Sequence, residues 1–99
     1  MLFEPDETEE KTSQAELEHR DFLDNLRDIA GTPAGKLVLW KILEYAGVHN
    51  SSFDLNPQIM SYNEGRREVG LWLEKLLDDI NPNLIYDIAK EKANVRTNQ

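Results

Sequence analysis

The stretch Gly31-Thr32-Pro33-Ala34-Gly35-Lys36-Leu37-Val38-Leu39-Trp40-Lys41-Ile42-Leu43-Glu44-Tyr45-Ala46-Gly47 marks a helix at both ends and holds much of the chain's apolar content between them. Thr32 is placed as N-cap, its hydroxyl accepting an early backbone N–H, and Pro33 suits the first helical position, where no N–H is needed. Gly47 suits the left-handed turn that closes the helix. The spacing therefore predicts a helix over 33–46 with a buried stripe of Val38, Leu39, Ile42, Leu43, Tyr45 and Ala46. Leu37 and Trp40 fall outside that stripe, beside Lys41 and Glu44. Two readings of them stay open: cover by the first helix or the N-terminal tail, or exposure as apolar anchors for a partner.

Upstream, residues 14–30 repeat Ala15, Phe22, Leu23, Leu26, Ile29 and Ala30 at helical spacing, which predicts a first helix with that side in the core. His19 falls on the same side and is expected to be half-buried. Asp21, Asp24 and Asp28 line the opposite side. They read either as a solvated face or as a strip that receives a Lys/Arg-rich partner. Residues 1–13, with Glu4, Asp6, Glu7, Glu9 and Glu10 around Pro5, carry too much charge and too little apolar surface to fold alone and are expected to be an acidic tail.

Downstream, residues 48–56 form a polar linker whose Phe53 is expected to plug the core. Asn56-Pro57 opens a third helix that the pattern carries to Ile80, with a stripe of Ile59, Tyr62, Val69, Trp72, Leu73, Leu76, Leu77 and Ile80. Gly65 and Gly70 lie at the edges of this stripe. Each costs about 1 kcal/mol relative to Ala in a helix, so both predict close approach of another backbone. Asn81-Pro82 ends the helix and starts a fourth, packed through Leu84, Ile85, Ile88 and Ala89, before a polar tail at 94–99. No strand-like alternation and no internal repeat is visible. The predicted fold is all-α, a compact bundle of about four helices spanning 14–93 with the acidic tail before it.

A chain of 99 residues is too short for two independent cores, and with no cysteine it must be held by packing alone. The longest apolar run, Leu37 to Trp40, is far below the roughly 20 residues of a membrane span, and no signal peptide is expected. Of the net charge of −8, residues 1–30 hold ten acids against three bases, while residues 31–77 hold five of each. Such a field repels a phosphate backbone. No stripe of Lys and Arg interleaved with aromatics offsets it, so direct nucleic-acid binding is disfavoured.

Arg66 breaks the pattern by falling inside the third helix's apolar stripe, between Tyr62, Val69 and Leu73. An unpaired guanidinium in a core costs several kcal/mol, so Arg66 is expected to find acceptors at a helix C-terminus near Ala30 or Ala46, or on a carboxylate. It reads as an internal clamp between helices, or else as a binding group at a groove or subunit contact. Arg67 is expected on the surface. His19 and His49 lack metal-ligand spacing, Ser51 and Ser52 resemble no nucleophile elbow, and residues 31–36 lack the order of a phosphate loop. Asp78 and Asp79 point apart at a helix end. No catalytic, cofactor or metal residues are assigned, and no enzyme activity is expected.

The ordered series Gly31-Thr32-Pro33-Ala34-Gly35, Val38-Leu39-Trp40, Ala46-Gly47-Val48, Ser52-Phe53, Glu64-Gly65-Arg66-Arg67 and Val69-Gly70-Leu71 resembles a family of small proteins of short-tailed bacteriophages, over roughly residues 20–90. The resemblance implies a phage origin and a setting among virion and morphogenesis genes, in the virion or the host cytoplasm. It carries no catalytic assignment. The expected function is that of a virion-associated or assembly and ejection accessory module acting through protein contacts. The interaction surface is expected at Leu37, Trp40, Asp21, Asp24 and Asp28, with Arg66 as the structural clamp. Expected partners are a phage structural protein or a second copy of the chain, without nucleic acid or membrane. The alternative is an acidic early protein that inhibits a host nucleic-acid-handling protein.

Overall fold

Thr32 and Gly47 do what their positions predict. Thr32 is extended and its Oγ1 accepts the Gly35 N–H at 2.9 Å, while Gly47 is left-handed (φ 72°) and its N–H reaches the Leu43 and Glu44 carbonyls at 3.1 Å. The computed structural model describes residues 7–97. Among these are four helices: α1 (Glu7–Ala30), α2 (Pro33–Ala46), α3 (Pro57–Ile80) and α4 (Leu84–Thr97). Asn56 caps α3 through its side chain, and Asn81 closes it with its own N–H on Leu77 O.

α1 begins at Glu7 rather than Gln14, so the backbone of 7–13 is helix instead of tail. The acids that argue against folding there are also helix formers, and they sit at the pole of the helix that favours negative charge. α4 likewise runs to Thr97, past the expected end near 93. Residues 1–6 and 98–99 of the two predicted tails lie outside the described residues.

The core gathers Leu26 and Ala30 of α1, Leu39, Leu43 and Ala46 of α2, Val48 of the linker, Leu73, Leu76 and Leu77 of α3, and Leu84 and Ile88 of α4. Leu77 and Ile88 are fully enclosed. α2 and α3 lie together in the middle, each packed on both α1 and α4. Gly70 marks the α2–α3 crossing: a Cβ there would meet Ala46 Cβ and Val48 Cγ1 at 2.5 Å. Gly35 plays the same part between α1 and α2, where a Cβ would run into the Ile29 carbonyl; its role is packing as well as turn-making. Gly65 has open space around it, so the expected close approach occurs at only one of the two α3 glycines.

The core is narrower than the apolar stripes. On α2 the buried line is Gly35, Leu39, Leu43 and Ala46, while Val38, Ile42 and Tyr45, expected inside, are exposed. On α3 burial starts at Gly70; Ile59, Tyr62, Val69 and Trp72 are exposed. On α1 Leu26 and Ala30 are buried and Leu23 half-buried, but Phe22, Ile29 and Ala15 are exposed, as is His19. Phe53, expected as a plug, is 70% exposed. Its linker is folded by polar bonds instead, Phe53 N to Ser51 Oγ and Asn56 N to Asp54 Oδ1, which turn the ring outward.

Candidate functional site

The exposed apolar residues are not scattered. Val38, Ile42 and Tyr45 repeat at i, i+4, i+7 on α2, and Tyr62, Val69 and Trp72 follow one side of α3. Phe22 of α1 stacks on Trp72, ring centroids 6.1 Å apart and planes 27° from parallel. The hydroxyls of Tyr45 and Tyr62 meet at 3.4 Å. Side-chain contacts thus join α1 to α3 and α2 to α3 at two points of an exposed apolar face. It is wide open: Val38 is 58%, Tyr45 65% and Trp72 56% exposed.

At one end of this face stands Arg66, half-buried rather than enclosed. Its guanidinium carbon lies 5.1 Å from the Tyr45 ring centroid and 5.5 Å from that of Tyr62, so two aromatic faces hold it. Its Nη2 donates a long bond of 3.5 Å to Asn63 Oδ1. The expected carbonyl and carboxylate acceptors are replaced by ring faces and an amide, and Nε is buried without a partner. Arg66 still bridges α2 and α3, as a clamp would. The hydrogen bond with Tyr62 foremost, and then the Arg66 charge, holds the Tyr45 phenol below its ordinary pKa. The same tyrosine pair raises that of Tyr62. Either hydroxyl of the pair can donate this bond.

Beside Arg66 opens a pocket of about 340 Å³ lined by Tyr45, Asn50, Ser51, Ser52, Asn63 and Arg67 among others. Asn63 Nδ2 donates to Ser52 O at 3.4 Å, and the Ser52 hydroxyl bonds to Glu64, so the linker is tied to α3 along the pocket wall. Arg67, expected on the surface, is half-buried in that wall.

The residues singled out in the sequence lie elsewhere. Leu37 is half-buried; Trp40 is half-buried against the core, its Nε1 donating to Glu44 Oε2 at 3.0 Å, and it lines a small hollow of about 240 Å³. Asp21, Asp24 and Asp28 are exposed on α1, with Asp24 paired to Arg27 at 3.1 Å. They are not brought together with Leu37 and Trp40 by any bond. His49 Nε2 stands 4.0 Å from Glu74 Oε2. Among the described residues no cluster of His, Cys, Asp or Glu is arranged to hold a metal ion, and no helix is long and apolar enough to cross a membrane. The Tyr45–Arg66–Tyr62 stack escaped sequence reasoning. Tyr62 and Arg66 are neighbours at i, i+4, but nothing local brings Tyr45 to them.

A family model described as Bbp19-like phage protein matches residues 26–90. The chain belongs to this family. In this Bbp19-like protein the matched stretch takes in α2, α3, the Arg66 pocket and the open residues Val38, Ile42, Tyr45, Tyr62, Val69 and Trp72, while Asp21 and Asp24 precede it. Neither a curated protein nor a solved structure matches the chain.

Proposed function

We propose that this Bbp19-like protein is a non-enzymatic accessory module of the phage particle or of its assembly, acting by docking on a phage structural protein. The single observation that carries this is the open face. Phe22, Tyr45, Tyr62 and Trp72 each bring about 150–250 Å² of side chain, around half of it exposed; with Val38, Ile42 and Val69 the face reaches on the order of 700 Å². Stable protein interfaces bury about 800 Å² per partner, so exposed apolar area of this order is enough to form one.

The matching partner surface is apolar with a basic rim, because exposed Asp21 and Asp28 lie roughly 100–120° round α1 from Phe22, at the flank of the face. The module would then work in the virion, or in the host cytoplasm during assembly. Inhibition of a host nucleic-acid-handling protein draws less support: it needs the aspartate strip, in which Asp24 is already paired to Arg27.

Mass spectrometry of purified, nuclease-treated particles tests the proposal. The protein should be present in wild-type particles and lost from particles of an Ile42→Ser, Trp72→Ser variant phage. Its absence from wild-type particles and from assembly intermediates overturns the reading, as does a sedimentation result in which a second copy alone covers the face.

A further inference from the structure

We propose that the pocket between the linker and α3 recognises a single carboxylate, carried by a side chain or chain end of a protein partner, through Arg66 and Arg67. The chain holds 19 acids against 11 bases, yet among the described residues neither guanidinium has a carboxylate within ion-pair reach. Arg27 and Lys41, both exposed, do have one. The Arg66 Nε is buried with no hydrogen-bond partner, so this guanidinium and its neighbour Arg67 form a charge imbalance in one pocket that an incoming anion corrects.

The geometry favours an oxyanion. Contact with the Tyr45 and Tyr62 rings holds the Arg66 guanidinium without neutralising its charge, and a guanidinium fork matches a carboxylate with two parallel bonds. Ser51 Oγ accepts the Phe53 N–H, which leaves its own O–H to donate on the pocket wall. Asn63 and Asn50 add amides.

The surroundings set the valence. Glu44 lines the pocket and Glu64 holds the Ser52 hydroxyl beside it, within a chain of net charge −8. A polyanion such as a nucleic acid meets that whole field; one carboxylate meets chiefly the two arginines a few ångströms away. The exposed ring of Tyr45 in the pocket wall offers contact to an apolar neighbour of the carboxylate. This inference rests on the reading that the protein works through protein contacts, but its test uses the isolated chain and is independent of particle association.

The test is a ¹⁵N NMR titration that follows the arginine Nε–H signals of the full chain. The probes are a blocked Leu-Glu-Leu peptide, a Leu-Gln-Leu peptide with a free C-terminus, a fully blocked Leu-Gln-Leu control, inorganic phosphate and a short oligothymidylate. Either carboxylate peptide should shift the Arg66 and Arg67 signals with millimolar affinity, and the first two arms tell side chain from chain end. The blocked control should shift neither. Arg67→Gln should weaken binding about tenfold. Ser51→Ala, which leaves both cations in place, should weaken it by a smaller factor and guards against an Arg67 variant that misfolds. Equal shifts with the blocked control, no shift with either carboxylate, or tighter binding of phosphate or oligothymidylate would overturn the proposal.

Discussion

α2 carries two apolar lines side by side, and they meet opposite fates. Gly35, Leu39, Leu43 and Ala46 are buried; Val38, Ile42 and Tyr45, one step round the same helix, stand in water. By hydropathy alone the second line has an equal claim to the core. The difference is size: the buried line begins with a glycine seated on the Ile29 carbonyl and ends with an alanine seated against Gly70, so backbones can close there. The other line carries bulky β-branched and aromatic groups, and among the described residues only its Tyr45 meets α3, through the tip of its ring and the Arg66 guanidinium. Small residues chose which side shut, and large ones were left to meet something else.

The comparison breaks most directly at its closed side. Leu77 is fully enclosed, and Leu77→Ala should cost about 2–5 kcal/mol, lowering the melting temperature by 10 °C or more, roughly, in calorimetry. A loss below about 1 kcal/mol would mean that the closed side is loosely packed.

The two α3 glycines sharpen it. Gly70→Ala should destabilise by about 1–3 kcal/mol, since Ala46 and Val48 must move aside. Gly65→Ala, five residues earlier and in open space, should stabilise by about 0.5–1 kcal/mol through helix propensity. Urea unfolding of both variants reads the sign directly. Stabilisation by Gly70→Ala would refute the crossing point there, and destabilisation by Gly65→Ala would refute the open space around Gly65.

The open side should respond least. Ile42→Ser should alter stability by no more than about 0.5 kcal/mol in thermal unfolding, since its side chain is exposed already. A loss comparable to that of Leu77→Ala would place Ile42 in the core and close the face.

Local chemistry was legible throughout. Thr32, Pro33, Gly47, Asn56 and Asn81 act within a turn of their own positions, so the bounds of α2 and α3 could be read from neighbours in the chain. The core at Leu84 and Ile88 was legible because α4 is apolar on one narrow side only. Which line of α2 would face inward was not, because that depends on where α3 and α4 arrive. The candidate site was legible only in outline. Arg66 announces itself by interrupting a stripe, but its partner Tyr45 lies seventeen positions before Tyr62 and reaches it only through the fold. Leu37 and Trp40 drew attention by standing off the stripe, and that offset is what half-buries them.

α1 outruns its neighbours. Every residue from Ser13 to Phe22 is exposed, a length of about 14 Å at the rise of a helix, and the first ring to grip another element is Phe22 on Trp72. A rod held only at its root leaves the whole circumference of that length open, so a partner could grasp it from any side without disturbing the packing at Leu26.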